Sequence, residues 1–248
     1  MLTFFRQLRK GFLESGQARK YTLYATGEIA LVVIGILMAL QINNWNDSRI
    51  NQNRVRNNIS GLLIDLRKDS TTLLKSLVRI QEDMDVIESF KNRLNSSEAT
   101  LDTLKQIARY EFSPVVSTNQ LGNNNLYNTL VMSGEINLFE RKIIEEINAY
   151  YSYYDEVKIS ERDHWNLYLN TIRQYIEQFT HNRSLINDGP LNDAIWDAAE
   201  ANVLASKFNA WAATKRLYYV QRSSKFRNLT KKNVKLITLL QELQNDIE

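Results

Sequence analysis

The stretch from Tyr21 to Ile42 reads YTLYATGEIALVVIGILMALQI and decides the fold. It contains no Lys or Arg and a single acid, Glu28. As a helix it would be about 33 Å long, which matches the hydrocarbon core of a bilayer, about 30 Å thick. We therefore predict a transmembrane helix over residues 21–46, with Tyr21 and Tyr24 at one membrane interface and Trp45 at the other.

Two alternatives to an uncleaved anchor remain open. A cleaved signal peptide would fit the apolar core, but Met38-Ala39-Leu40-Gln41 is a poor cleavage site and the apolar stretch is longer than usual. A core helix of a cytoplasmic protein is the lesser alternative, because Glu28 and two glycines weaken the hydropathy. We favour the uncleaved anchor.

The basic residues of the chain are unevenly distributed. Residues 1–20 hold five Lys or Arg and one Glu, whereas the whole chain of 248 residues has a net charge of only +3. The positive-inside rule predicts that residues 1–20 form a cytoplasmic tail and that residues 47–248 lie outside the cytoplasm. Residues 29–248 are neutral overall, so we expect no nucleic acid as a partner. The apolar segment predicts membrane lipid as a partner.

One face of the predicted transmembrane helix carries both the acid and small residues. It consists of Glu28, Val32, Gly35, Ala39, Ile42 and Asn43. The small-xxx-small pair on this face lets helices approach closely, so we expect Glu28, Gly35, Ala39 and Asn43 to form an intramembrane interaction site. Glu28 is either a proton- or ion-linked site in an oligomer, or a protonated acid hydrogen-bonded to a neighbouring helix, Thr26 or Tyr24.

The segment that follows has a heptad pattern. Nine of eleven positions are apolar in the series 59, 63, 66, 70, 73, 77, 80, 84, 87, 91 and 94. Both a coiled coil and a helix packed within a bundle would produce this spacing, and we favour the bundle helix. Residues 36–60 contain no Pro or Gly, so we predict one helix from Tyr21 to about Leu94.

Further helices are predicted over residues 101–110, 125–132, 138–181 and 208–247. Ser96 or Ser97 is a candidate cap for the first of these, while Pro114, Gly134 and Pro190 mark breaks. The predicted fold is all-α: a single N-terminal transmembrane helix continues into an elongated antiparallel helical bundle. We expect the three long helices to alternate outward, return and outward, with the last one ending far from the membrane.

The sequence offers little evidence for catalysis. There is no Cys, and no phosphate loop or hydrolase motif is present, so we predict no catalytic, cofactor-binding or metal site and no enzyme activity. Glu161 and His164 fit one half of a di-iron carboxylate motif, but the second copy that such a site needs is missing. The dense tyrosines of residues 150–154, 168, 175, 218 and 219 either line a groove or, as we favour, pack at the core boundary with their hydroxyls in water.

The stretch GEIALVVIGILMALQINNWN at residues 27–46 resembles the N-terminal signature of a Bacteroidota family of small membrane-anchored proteins of unassigned function. The segments FFRQLRK at residues 4–10 and SGEINLF before the tyrosine-rich helix are similar too. This resemblance implies a Gram-negative host, an inner-membrane anchor and a periplasmic body. It also implies that Glu28, Gly35 and the run Gln41–Asn46 belong to the signature.

These observations lead to one functional hypothesis with two alternatives. We expect a non-enzymatic, membrane-anchored periplasmic helical bundle that acts as a structural or interaction subunit of an envelope complex. It would form a homo-oligomer or assemble with other envelope membrane proteins. The alternatives are an envelope sensor or regulator that binds a ligand in the bundle, and a proton- or ion-conducting homo-oligomer that uses Glu28.

Overall fold

The computed structural model describes residues 17–116, 121–122, 124–179 and 189–247. Within these ranges the chain is all-α and contains no strand, as predicted. Six α-helices are found there: α1 (Gln17–Leu94), α2 (Leu101–Gln106), α3 (Asn125–Ser133), α4 (Arg141–Ile176), α5 (Pro190–Asp197) and α6 (Ala201–Ile247). A π-helical turn, Ile107–Glu111, follows α2, and a 3-10 turn, Glu135–Leu138, precedes α4. The predicted cytoplasmic tail lies almost wholly outside the described residues.

The chain divides into two compact units, one up to Val55 and one from Arg56 onward. The first unit contains the apolar part of α1. Among the described residues this is the one helix that is long and apolar enough to cross a membrane, and none of its most apolar window is buried. A helix that could span a membrane is therefore found where the sequence predicts one, and the predicted domain boundary after residue 46 falls inside the first unit.

Helix α1 runs without interruption from Gln17 to Leu94, which confirms the prediction of one continuous helix. Its buried positions in the second unit include most of the predicted heptad residues and several residues beside them. The buried residues are Ile59, Leu62, Leu63, Leu66, Asp69, Leu73, Ser76, Ile80, Ile87 and Phe90. This buried face is wider than a coiled-coil seam, as expected for a helix that packs on several neighbours.

The predicted breaks are found where the sequence places them. Phe112 is extended two residues before Pro114, Gly134 ends α3 with a left-handed φ of 75°, and Pro190 opens α5. The cap of α2 differs from the prediction. Thr100, not Ser96 or Ser97, is the N-cap: its side chain accepts a hydrogen bond from the backbone N–H of Thr103, and the Thr103 side chain accepts one from the N–H of Thr100.

The two later long helices have different limits from those predicted. Helix α4 begins at Arg141 because the preceding residues form the 3-10 turn, and its described helical part ends at Ile176. Helix α6 begins earlier than predicted, at Ala201. Later turns of this helix have a heptad pattern, with the positions Phe226, Leu229, Asn233, Leu236, Leu240, Leu243 and Ile247. Residues 201–207 lack this pattern, yet Leu204 among them is fully buried. Packing of Leu204 therefore explains why α6 begins before the region with heptad spacing.

Helices α1 and α6 are antiparallel. The Tyr219 hydroxyl donates a hydrogen bond to Asp83 at 2.5 Å, and the Asn233 side-chain amide donates one to the carbonyl of Leu66 at 3.0 Å. Residue numbers thus rise along one helix as they fall along the other. Near the end of α6, Arg56 donates a hydrogen bond to the carbonyl of Ile247 at 2.7 Å. The last helix therefore ends beside the residue that opens the bundle, which contradicts the expectation that it ends at the far end.

Helix α4 is also antiparallel to α6. Trp211 donates a hydrogen bond to the hydroxyl of Tyr168 at 3.2 Å, and Lys235 pairs with Glu146 at 2.6 Å. Helices α1 and α4 therefore run in the same direction, and the predicted alternation of three long helices is wrong. The reason is that the chain returns along the bundle before α4 begins, as its described residues 112–116, 121–122 and 124–138 show.

The returning chain consists of an extended segment, described as residues 112–116 and 121–122, followed by α3 and the 3-10 turn. At one end, the Phe112 ring packs 4.5 Å from that of Trp211. At the other end, Glu135 accepts a hydrogen bond from Asn58 at 2.9 Å. Phe112 and Val116 are 1% and 6% exposed, whereas Val115 between them is 65% exposed, so the extended segment lies along the edge of the core.

Candidate functional site

The residues predicted to form an intramembrane interaction site lie on α1. Glu28, Gly35, Ala39 and Asn43 are all exposed within the described chain, and their spacing places them on one helical face. No atom lies within 4 Å of the position that a side chain at Gly35 would take, apart from its own helix neighbours. This face is therefore open for contact with lipid or with another helix.

Glu28 has no hydrogen bond or ion pair within the described part of the chain. Thr26, one of its suggested partners, donates its hydroxyl hydrogen to the carbonyl of Thr22 at 2.7 Å. Asn43, at the other end of the face, donates to the carboxylate of Asp47 at 3.1 Å. An intramembrane partner for Glu28 must therefore come from outside the described residues.

The predicted interface anchors also lie on α1. The exposed fractions of Tyr24 and Trp45 are 81% and 66%. The guanidinium of Arg49 lies 5.6 Å from the centre of the Trp45 ring, which adds a cation–π contact at that end. Tyr21 is helical, and its side chain lies outside the described part.

A second group of polar residues, which the sequence analysis did not identify, is buried inside the bundle. Asp69 of α1, Tyr150 of α4 and Asn233 of α6 meet there, and each is at most 4% exposed. The Tyr150 hydroxyl donates to the Asp69 carboxylate at 3.0 Å. The Asn233 amide donates to that hydroxyl at 3.2 Å and to the Leu66 carbonyl at 3.0 Å. One polar residue from each long helix thus joins a network that fixes their relative positions.

The extended segment completes this network. The backbone of Gly122 hydrogen-bonds the Asp69 carboxylate, and the Gly122 carbonyl accepts a hydrogen bond from the hydroxyl of Tyr154. Burial raises the pKa of Asp69, against the opposing hydrogen bond from Tyr150. Burial also raises the pKa of Tyr150, and the Asp69 charge adds to this effect.

Other tyrosines bind backbone carbonyls between α2 and α3. Tyr168 donates to the carbonyl of Pro114 at 2.6 Å, and Tyr175 donates to the carbonyl of Ala108 at 3.4 Å. The rings of Tyr150, Tyr151, Tyr154, Tyr168, Tyr175, Tyr218 and Tyr219 are all at most 2% exposed. The expectation that their hydroxyls stay in water is therefore wrong for those that bind carbonyls: they satisfy backbone groups that an extended segment leaves unpaired in a core.

Lys215 of α6 also binds backbone carbonyls of the extended segment, in this case through a charged group. Its ammonium group donates to the carbonyls of Ser113 at 2.6 Å and Val115 at 3.1 Å, and it lies 5.0 Å from the centre of the Phe112 ring. Lys215 is 5% exposed, and burial lowers its pKa to about 8. The nearby charge of Asp83 opposes this shift.

Glu161 and His164, the residues of the possible metal motif, have protein groups as their partners. Glu161 pairs with Arg222 at 2.9 Å and accepts a hydrogen bond from Tyr218 at 3.4 Å. Burial raises the pKa of Glu161, while the charge of Arg222 lowers it. A ring nitrogen of His164 lies 2.7 Å from the carbonyl of Ser160, a contact within its own helix. In the described ranges no group of three His, Cys, Asp or Glu side chains comes close enough to hold a metal ion.

The comparison with protein families gives one match. A model for a family of unknown function (DUF6090) matches residues 28–210, which is well over half of the chain. The chain belongs to this family. The DUF6090 match begins at Glu28 and includes Asp69 and Tyr150, whereas Lys215 and the later part of α6 lie beyond it. This agrees with the family of unassigned function expected from the sequence. No curated protein and no solved structure matches the chain.

Proposed function

We propose that this protein is a non-enzymatic subunit of the Gram-negative cell envelope, anchored in the inner membrane by α1 and carrying its helical bundle in the periplasm. In this proposal it acts as a structural or interaction protein, and it assembles as a homo-oligomer or with other envelope membrane proteins.

The observation that carries this proposal is the open face of α1. Glu28 has no partner in the described chain, and Gly35 and Ala39 on the same face leave room for a second helix. An isolated carboxylate in lipid is unfavourable, so a partner helix that hydrogen-bonds Glu28 would stabilise it. The position of the acid beside two small residues thus supports burial of the anchor in protein.

The direction of insertion is supported by the charge distribution. Five basic residues precede the apolar segment, and the first one after it is Arg49. Positively charged flanks are retained in the cytoplasm during insertion. The body from residue 47 would then lie in the periplasm.

A non-enzymatic role for the bundle is supported by the way its buried ionisable groups are engaged. Asp69 accepts a hydrogen bond from Tyr150, Lys215 binds backbone carbonyls, and Arg222 pairs with Glu161. These groups hold the returning chain and the three long helices together. Catalytic acids and bases, in contrast, need access to a substrate.

Single-cysteine labelling tests the location. The native chain has no Cys, so each substitution introduces a unique thiol. In intact spheroplasts, a membrane-impermeant maleimide should label Leu74→Cys, whose native side chain is 54% exposed, and should label Lys20→Cys only after lysis. The unmodified chain is the control for background. Labelling of Lys20→Cys without lysis, together with protection of Leu74→Cys, would contradict the proposed orientation.

The mass of the purified protein tests assembly. In a mild detergent, native mass spectrometry should find complexes heavier than one chain of 28.9 kDa. A monomer without co-purifying protein would contradict the proposed role as an assembled subunit.

A further inference from the structure

A groove lies between α1 and α6 in the second unit, at the end of the bundle opposite Arg56. Its volume is about 300 Å³, at the lower end of the range for small-molecule sites. The floor is formed by the aromatic rings of Phe90, Phe112 and Phe208, all at most 9% exposed. This floor is therefore apolar and largely fixed by core packing.

The groove exists because α6 carries small residues where it faces this part of α1. Ala212 and Ala213 line the groove, and their side chains end at Cβ. Along α1 the groove extends from Ile87 to Leu94, which is about 10 Å at the helical rise. Its shape is thus a narrow apolar channel, comparable in length to a medium-chain alkyl group.

The charged residues that line this channel are both cationic. Lys91 and Arg216 are the charged residues among the described residues that line it, and no carboxylate is found with them. Lys91 already forms an ion pair with Glu88. Arg216 is exposed and has no hydrogen bond or ion pair in the described ranges. Its guanidinium can therefore bind a carboxylate through two parallel hydrogen bonds.

We propose that this groove binds a medium-chain fatty carboxylate, with the alkyl chain on the aromatic floor and the carboxylate at Arg216. The apolar channel provides burial for the chain, and the cation at its edge selects an anionic head group. A cationic amphiphile would face Arg216 and Lys91 unfavourably, and a neutral one would leave the guanidinium unpaired. This site is the kind of ligand site that a sensor role would require, and it does not depend on how the anchor assembles.

Photo-crosslinking of the full chain in lipid nanodiscs tests this proposal. The probe is decanoic acid that carries a diazirine, and labelled positions are mapped by mass spectrometry of tryptic peptides. Label should appear in the peptides 80–91 and 208–215, which contain Phe90 and Phe208 of the floor, and unmodified decanoate should compete with it. Label restricted to the anchor would mean that the probe only dissolves in lipid, and this would overturn the proposal.

Two pairs of variants identify the contacts. Arg216→Gln should weaken competition by decanoate on the order of tenfold, because a charge-assisted hydrogen bond is lost. Arg227→Gln, an exposed site elsewhere on α6, should have no effect. Ala212→Leu should fill the groove and abolish its labelling, whereas Ala210→Leu, on the exposed side of α6, should not. Unchanged labelling of the groove in both Arg216→Gln and Ala212→Leu would overturn the proposal.

The head group is tested with an uncharged analogue. A diazirine-bearing decanol should label the two groove peptides of the native chain much more weakly than the acid does. Equal labelling by the alcohol would overturn the assignment of a carboxylate ligand.

Discussion

Gly122→Ala tests the contact between the extended segment and the buried carboxylate of Asp69. A Cβ atom at residue 122 would lie 2.0 Å from Asp69 Oδ1, whereas ordinary van der Waals contact begins at 3.4 Å. The two groups must therefore separate by about 1.4 Å. Asp69 is 4% exposed and accepts a hydrogen bond from Tyr150, so rotation away from residue 122 breaks a buried contact.

Either way of relieving this clash breaks hydrogen bonds. If Asp69 moves, the bond from Tyr150 to a charged acceptor is lost, which is worth about 1.5–3 kcal/mol. If residue 122 moves instead, its hydrogen bonds with Tyr154 and Asp69 are lost, which costs a similar free energy. Ala also has less conformational entropy than Gly in the unfolded chain, which offsets about 0.4–1 kcal/mol of the lost stability. We expect Gly122→Ala to lower the free energy of unfolding by about 1.5 kcal/mol.

Chemical denaturation of the full chain in detergent, followed by Trp fluorescence, measures this change. Gly61→Ala is the matched control: its Cβ would lie 2.6 Å from Leu126 Cδ2, the mobile end of an apolar side chain. That side chain can shift, and Ala is better than Gly in a helix by up to about 1 kcal/mol, so this variant should be neutral or stabilised. In an Asp69→Ala background, the effect of Gly122→Ala should largely disappear. Equal effects of the two glycine substitutions, or an unchanged effect in that background, would refute the reasoning.

Three further predictions concern the bundle and use the same unfolding measurement. Between about pH 8 and pH 10 the unfolded chain keeps the proton of Lys215 and the folded chain releases it, so the free energy of unfolding should rise with pH. Lys215→Met should remove that part of the rise. A pH slope identical to that of the native chain would contradict the burial of this ammonium group. Glu161→Gln should destabilise the bundle by about 2 kcal/mol, because the Arg222 side chain is 1% exposed and loses its charged partner, while Glu156→Gln, which breaks an exposed ion pair, should change little. Gly134→Ala should lower the free energy of unfolding by about 1 kcal/mol because the φ of 75° disfavours a side chain, and no change would mean that this turn relaxes easily.

Local sequence signals predicted the elements of the fold better than their arrangement. The apolar run and the heptad spacing predicted α1, and Pro114, Gly134 and Pro190 predicted the breaks around the short elements. The direction of α4 was not predictable in this way. It depends on a segment before α3 whose described residues are extended and partly buried, whereas short connections between long helices indicate simple alternation.

The buried polar network was missed for a related reason. The heptad series placed Ser70 and Leu77 on the apolar face, whereas the structure buries their neighbours Asp69 and Ser76 more deeply. Asp69 was therefore absent from the predicted apolar series. Asn233 occupied an apolar heptad position of α6, and a polar residue at such a position was the available signal of a buried network. Its partners come from other helices and from residue 122, so sequence spacing alone could not identify them.

The claim that the anchor is covered by protein is tested most directly by substitutions at its two glycines. No atom outside the helix neighbours lies within 4 Å of a Cβ at Gly27 or at Gly35, so Leu at either position is harmless to the isolated chain. Gly35 shares the face of Glu28, whereas Gly27 lies about 100° away around the helix. In a mild detergent, native mass spectrometry should find the complex intact in Gly27→Leu and dissociated in Gly35→Leu. The same mass for both variants and the native chain would contradict the account.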